Sequence, residues 1–292
     1  MTAFTAAPGY GNVSNSVLYP EIFSADVLFN LQKVAVVDKI ANTNYEGDIR
    51  DEGASVKIAK APVIETFTYT RGKIIPNQTI DFDDKELLID QAYGFAFSLD
   101  DIERQQSHIN LSDAALKDAV YRLNDVFDSN VLTYAVAQAT NFTSGTVGFG
   151  SGELEPTLLF NEARKLLGKA NAPYTDCWAV ISWDLFEYLA AAGSKIVNAN
   201  EMGVDKSIII KETEPMLNLY GMDVYVSNNI AANTALFGHK SALSTAKTLS
   251  RYETVRRQDT FGDQFRALMV WGRLATRPEV LFETTWTPGA LA

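Results

Sequence analysis

The side chains with the greatest potential for chemistry are two histidines, His108 and His239, and a single cysteine, Cys177. A zinc site needs three or four nitrogen, sulfur or oxygen ligands close together. These residues are far apart in the sequence, so we expect no metal site. The residue types needed for a catalytic Ser-His-Asp triad are present, so residue counts do not exclude one. However, no Gly-x-Ser-x-Gly motif joins a strand to a helix. Cys177 directly precedes an apolar segment, which predicts a buried structural thiol.

A glycine-rich stretch at 144–152 has the composition of a loop that cradles phosphate with its backbone amides. However, no strand is predicted before it, no lysine follows it, and Glu153 and Glu155 would repel a phosphate group. We therefore interpret the Gly-, Ser- and Thr-rich residues 141–155 as a flexible linker and as the best candidate domain boundary.

Two acidic clusters offer paired carboxylates, which can transfer protons or bind a divalent cation. One cluster lies beside a predicted strand end and the other opens a predicted helix, where acids are expected for reasons of solvation and the helix dipole. Their members are Asp81, Asp83, Asp84, Asp100, Asp101 and Glu103. We expect no catalytic residue, no metal, no cofactor and no enzymatic activity.

Composition and net charge argue against nucleic-acid-binding, secreted and membrane-spanning classes of protein. The 292 residues include 25 basic and 36 acidic side chains, a net charge of −11, and 47% are apolar. An acidic chain is a poor general binder of nucleic acid, which needs a basic surface. The first basic residue is Lys33, no secretion signal is evident, and no apolar run approaches the length of a membrane span. We expect synthesis in the cytoplasm and no membrane partner.

The element that would organise the fold is one long helix over 110–140. Apolar residues recur at steps of three and four along one face, and no Gly or Pro interrupts the run. Leu116, Val120, Leu123, Phe127 and Val131 are predicted to pack this face against the core. Polar residues, including Asp125 and Asp128, fall on the opposite, solvent side. The helix would be roughly 40 Å long, which suits either a strut or an ordinary core helix.

Before this helix lies a β region. Alternating apolar and polar residues predict strands over 55–60, 63–70 and 86–97. Arg71, Gly72 and Lys73 form a turn signal between the second and third strands. The basic side chains of this turn suit either solvent or an ion pair with another subunit. A capping-box pattern at 98–101 predicts a short helix to about residue 106.

After the linker, helices and strands alternate, which predicts a compact α/β unit. Its helices are expected at 156–170 and 183–192, and its strands at 178–182, 222–226 and 235–238. The tail returns to β structure, with strands at 249–258, 265–271 and 280–283. Together these elements predict an α+β fold.

Several motifs, taken in order, resemble the HK97-type major capsid protein of tailed bacteriophages. Residues 20–25 and 30–33 are similar to the family's arm, and 44–49 with 53–58 to the entry of its E-loop. Residues 89–91 and 95–103 resemble the approach to its spine helix. Residues 169–173, 221–229 and 237–239 resemble parts of its A-domain, and 261–279 its closing P-domain segment. The resemblance covers nearly the whole chain from Pro20.

The resemblance implies an HK97-like capsid fold with five parts. These are an N-terminal arm (1–47), an extended β-hairpin E-loop (48–97), the spine helix of the P-domain (98–140), an α/β A-domain (141–246) and a β return to the P-domain (247–292). Arg71, Gly72 and Lys73 would form the E-loop tip, where subunits contact one another.

The implied function is self-assembly into hexamers and pentamers of an icosahedral phage head that encloses double-stranded DNA without sequence-specific binding. The location would be the virion. Partners would be other copies of the chain, a separate scaffolding protein, a portal and, in some systems, decoration proteins. Two alternatives stay open: an encapsulin-type cellular shell that encloses enzyme cargo, and a soluble α/β enzyme or carbohydrate-binding module.

Overall fold

The computed structural model describes residues 33, 35–45, 55–62, 64–75, 77–80, 82–101, 111–191, 217–259 and 261–291. The helices are α1 (Val37–Ile40), α2 (Leu111–Gln138), α3 (Pro156–Lys169) and α4 (Trp183–Ala190). The strands are β1 (Ser55–Ala59), β2 (Asp84–Asp100), β3 (Thr140–Val147), β4 (Cys177–Ile181), β5 (Leu217–Leu219), β6 (Met222–Val226), β7 (Thr234–His239), β8 (Leu243–Arg256), β9 (Gly262–Ala275) and β10 (Leu281–Pro288). The α+β class expected from the sequence is confirmed.

Four strands form an antiparallel sheet in the order β1-β2-β9-β8. Helix α2 packs on one face of it, where the ring of Phe127 meets Trp271 edge-on at 5.6 Å between centroids. The long β2–β9 pairing aligns Phe97 with Phe265, and their rings stack at 5.2 Å. The predicted long helix and the predicted strand at 86–97 are therefore confirmed, and the strand extends to both sides.

The other sheet has six strands in the order β3-β10-β7-β4-β6-β5. It mixes parallel pairs, such as β4 with β6, and antiparallel pairs, such as β4 with β7. All five residues of β4 are buried, which explains its unbroken apolar sequence. The predicted helices and strands of this α/β unit are confirmed, and the C-terminal strand β10 lies between β3 and β7.

Three sequence predictions were wrong. Residues 64–70 form no strand, because the β1–β2 ladder ends where Ala59 meets Asp84, and the Glu65 amide then bonds to the Gln78 side chain at 2.9 Å. The helix expected at 98–101 does not start at residue 98, because residues 98–100 continue β2 and pair with residues 262–264 of β9, and only Asp101 is helical. The supposed linker begins with strand β3, which pairs with β10.

Other predictions fall outside the described residues. They are the part of the short helix that runs to residue 106, and His108. Within the part of the chain that the structure describes, no helix is long and apolar enough to cross a membrane.

Candidate assembly surfaces

The excursion, residues 60–83 between β1 and β2, exposes the largest concentration of apolar side chains in the described structure. Ile64 is 67% exposed and Ile74 is 92% exposed. The other large exposed apolar residues of the excursion are Phe67, Tyr69, Ile75, Ile80 and Phe82. An exposed apolar surface of this extent usually marks a site that binds another molecule.

At the tip of the excursion, the chain reverses through Arg71 and Gly72. Gly72 has φ +85°, a conformation that favours glycine, and the Lys73 amide donates to the Thr70 carbonyl at 3.1 Å. The Arg71 and Lys73 side chains are exposed and form no ion pair with any described residue. Two unpaired positive charges therefore lie at the end of an apolar arm.

The face of α2 is buried along only part of its length. Leu123, Phe127 and Val131 are buried, whereas Leu116 is half-buried and Val120 is 49% exposed. From Leu123 onward the helix is covered by the four-stranded sheet and by residues 36–41, and it also buries Leu132 and Ala135. The residues that the structure describes cover the N-terminal half of α2 less completely, and Val120 remains 49% exposed there.

The N-terminal strap, defined as Lys33 and residues 35–42, ties α2 to both sheets. Its apolar side chains Val36, Val37 and Ile40 are buried. Its Asp38 carboxylate pairs with Lys247 of β8 at 2.6 Å, and the Asn42 amide donates to the Leu243 carbonyl at 2.8 Å. At its other end, the Lys33 ammonium donates to the Asn229 side chain at 2.9 Å, in the turn after β6.

Asp128 is the buried anchor of this strap. Its Oδ1 accepts the amides of Val36 and Val37 at 2.8 and 2.9 Å, and its Oδ2 accepts the Asn229 side-chain amide at 2.9 Å. The side chain is fully buried, and this burial raises the pKa of the Asp128 carboxyl above its ordinary value. The expectation that Asp128 faces solvent was wrong, because residues about 90 positions before it and 100 positions after it cover this side of α2.

The glycine-rich stretch holds a carboxylate of its own chain. Glu153 Oε2 accepts the amides of Gly150 at 2.8 Å and Ala290 at 2.9 Å. A Cβ atom on Gly148 or Gly289 would overlap the Glu153 carboxylate. The glycines therefore make room for Glu153, and the loop fastens the segment after β10 to the end of β3.

The residues with potential for catalysis are structural where the structure describes them. Cys177 is buried, as expected, and its sulfur accepts a hydrogen bond from Arg164 at 3.0 Å. Burial lowers the pKa of His239, whose Nδ1 lies 2.8 Å from the Ser241 hydroxyl. Among the described residues, no three His, Cys, Asp or Glu side chains are grouped so as to hold a metal ion.

No protein-family model matches this chain, and no curated protein is similar to it in sequence. Solved structures are similar. A structure from Mycobacterium phage Che8 is 27% identical, covers 91% of this chain and 96% of its own, and has a TM-score of 0.75. The capsid structure of cyanophage P-SCSP1u is 17% identical, with 98% and 100% coverage and a TM-score of 0.75. The mature capsid of bacteriophage PhiM1 is 14% identical, with 98% and 97% coverage and a TM-score of 0.69. The chain thus has the fold of these phage proteins over almost its entire length.

Proposed function

We propose that this chain is the major capsid protein of a tailed bacteriophage, a structural protein that assembles with copies of itself into the shell of the virion. The observation that carries the proposal is the likeness to phage capsid structures, which extends over nearly all of this chain and nearly all of theirs. The exposed apolar excursion supports the proposal independently, because monomeric proteins rarely expose a contiguous apolar surface as large as that of its seven large apolar side chains.

We assign the parts of the fold accordingly. Residues 1–47 form the N-arm, 48–97 the E-loop, 98–140 the spine region, 141–246 the A-domain and 247–292 the return to the P-domain, in an HK97-like arrangement. The E-loop residues contribute β1 and most of β2 to the four-stranded sheet, and this sheet forms the body of the P-domain together with α2. The six-stranded sheet is the body of the A-domain, to which the last segment contributes β10.

The shell is built of hexamers and pentamers and encloses double-stranded DNA. The net charge of −11 is consistent with containing DNA without gripping it. A separate scaffolding protein, a portal and decoration proteins are the further partners of such a head, and synthesis takes place in the host cytoplasm. An enzyme-carrying cellular shell is less well supported, because the similar structures described above come from phages.

Within the shell, the excursion lies across a neighbouring subunit, with Arg71, Gly72 and Lys73 at the contact. The described residues of the excursion form no strand ladder of their own, and its exposed apolar side chains become buried only against another chain. Such a contact joins two different surfaces, as ring and shell formation requires. Leu116, Val120, Leu123, Phe127 and Val131 form the packing face of the spine, and the exposed Val120 is available to a neighbour.

The first test is electron microscopy of the expressed chain, alone and together with the products of its neighbouring genes. Closed shells of uniform size are expected. A chain that remains monomeric under both conditions would refute the proposal.

The second test addresses the excursion. Trypsin should cut rapidly after Arg71 or Lys73 in unassembled subunits, since exposed loop tips are preferred cleavage sites, and slowly in assembled shells. Fragments are identified by mass, and an Arg71→Gln/Lys73→Gln variant should lose this cleavage specifically. Equal cleavage rates in subunits and shells would show that the excursion is not an intersubunit contact.

A further inference from the structure

A cavity of about 350 Å³ opens at the base of the excursion. Four separate parts of the chain line it, namely the N-terminal strap, the β1–β2 end, the start of β8 and the segment after β9. Three of its lining residues are basic, Lys60, Lys85 and Arg277, and one is acidic, Glu279. The cavity therefore has a positive lining in a chain whose net charge is −11.

The backbone around this cavity is fixed by hydrogen bonds. The Lys60 amide donates to the Asp83 carbonyl at 2.8 Å, and the Arg277 amide donates to the Ala242 carbonyl at 3.2 Å. The Lys85 ammonium donates to the Thr276 carbonyl at 2.9 Å, and the Thr276 hydroxyl to Ser244 at 2.6 Å. The positions from which the basic side chains extend are thus set before any ligand arrives.

Two of the three cations are unpaired. The Lys60 and Arg277 side chains form no ion pair and no hydrogen bond with any described residue, and Glu279 pairs with neither. Many basic residues elsewhere have an acidic partner within the chain; the pairs include Lys57–Asp84, Lys247–Asp38 and Arg266–Glu253. Positive charge that is concentrated in one cavity and left unmatched favours a negatively charged ligand from outside.

We propose that this cavity is a docking site for an acidic segment of a second copy of this chain. The inference rests on the proposed function, because copies that each carry a charge of −11 repel one another as they assemble. A positive cavity whose Lys60 and Arg277 side chains are exposed removes part of that repulsion at a defined place and selects one relative orientation of the two subunits.

Nucleic acid is the less suitable ligand. A phosphodiester chain is held by many cations along a groove, whereas this cavity offers two unpaired side chains in a recess of limited volume. Ile58 and Ala59 also line it, and apolar walls beside cationic groups suit a peptide that carries carboxylates better than a uniformly charged backbone.

The central experiment is a charge reversal, Lys60→Glu/Arg277→Glu, with Lys165→Glu/Lys169→Glu on α3 as the control that makes the same change in net charge. Lys85 is left unchanged because it bonds to Thr276. The concentration of subunits needed for shell assembly should rise at least about tenfold in the cavity variant and less than about twofold in the control. If wild type and cavity variant assemble equally well, the inference is wrong while the proposed function stands. If the wild type forms no shells under any condition, the proposed function itself fails.

A second measurement does not depend on assembly. Fluorescence anisotropy of labelled hexaglutamate is recorded with unassembled wild-type subunits and with Lys60→Gln/Arg277→Gln, whose melting temperature verifies folding. Hexaglutamate should bind the wild type, and binding should be lost in the variant and weakened by salt. A short DNA duplex serves as the competing probe. Binding of the duplex in place of hexaglutamate, or of hexaglutamate equally to both proteins, would overturn the proposal.

Discussion

Asp128 shows how a single side chain can connect distant parts of this chain. Its carboxylate accepts two strap amides and one amide from the turn after β6, so it links α2 to two distant segments. Asp125 lies in the same cluster, where its Oδ1 accepts the Asn229 amide at 2.9 Å and its Oδ2 lies 3.7 Å from the Lys33 ammonium. The strap is therefore held by electrostatics as well as by buried Val36 and Val37.

The Asp128→Asn variant should change how stability depends on pH. Burial raises the folded-state pKa of Asp128 above the unfolded value, which is about 3.9. As the pH falls, the Asp128 carboxyl therefore binds a proton in the folded protein before it does so in the unfolded chain. This difference stabilises the folded protein. The stabilisation is complete below about pH 4 and is lost as the pH rises through the folded-state pKa. The variant lacks this titration.

The gap in melting temperature between wild type and Asp128→Asn should accordingly widen as the pH is lowered from 7 to 4.5. At neutral pH the variant should already be less stable by about 1–3 kcal/mol, because an amide nitrogen in place of Oδ2 cannot accept from Asn229. A gap that narrows toward low pH would mean that the three donors stabilise the carboxylate anion more than burial destabilises it.

Phe127→Ala tests the packing of α2. The Phe127 side chain is 2% exposed, lies edge-on against Trp271 and is covered by the Lys247 ammonium at 4.8 Å from the ring centroid. Truncation should lower the free energy of unfolding by about 3–5 kcal/mol, measured by denaturant unfolding. Val120→Ala on the same helix should change it by less than about 0.5 kcal/mol. Similar losses in both variants would contradict this assignment of the buried face.

Sequence alone could predict the residues of this helix face but not the role of Asp128. Leu123, Phe127 and Val131 follow the helical period, which any apolar stripe reveals. Asp128 has the polarity of a solvent-facing residue, and its burial depends on Val36, Val37 and Asn229, which only the tertiary structure brings together.

At the level of elements, the four-stranded sheet depends on glycines where β2 and β9 approach closely. A Cβ on Gly94 would lie 2.6 Å from the Ala267 carbonyl oxygen, a backbone atom that cannot move aside alone. Gly94→Ala should therefore cost about 1–3 kcal/mol through overpacking. Gly168→Ala in α3 is the matched control, because nothing lies within 4 Å of the added methyl group.

The control should stabilise the protein by roughly 0.5–1 kcal/mol, since alanine loses less backbone entropy in a helix than glycine does. Both effects can be read from thermal unfolding monitored by circular dichroism. If Gly94→Ala is as well tolerated as Gly168→Ala, then the close approach of β2 and β9 is not maintained in solution.

The elements predicted correctly from sequence are those whose pattern is local. Helix α2 has an uninterrupted period, and β4 is a short run of apolar residues flanked by polar ones. Strand β3 was missed because Thr, Ser and Gly dominate it and its pairing with β10 joins residues about 140 apart. The alternation at 63–70 predicted a strand, but alternation does not supply the partner that a strand needs.

For the whole molecule, one continuous hydrophobic cluster includes the strap, α2 and residues of both sheets. Val36 and Ile40 belong to it together with Trp271 of the four-stranded sheet and Phe237 of the six-stranded sheet. Unassembled subunits should therefore unfold in one cooperative transition, with equal calorimetric and van't Hoff enthalpies. Two separate calorimetric peaks would show that the sheets are independent units.

The contact between Glu153 and its glycines carries a consequence for how this protein can evolve. Gly148 and Gly289 leave space for a carboxylate that bonds to Gly150 and Ala290, so a side chain at either glycine would displace the Glu153 carboxylate. A substitution that shortens residue 153 would open that space at Gly289, where only Glu153 atoms lie close, whereas a Cβ on Gly148 would still meet the backbone of Ala290. The order of mutations is thereby constrained, with position 153 changing before position 289. Among related sequences, positions 153 and 289 should covary, although they lie more than 130 residues apart.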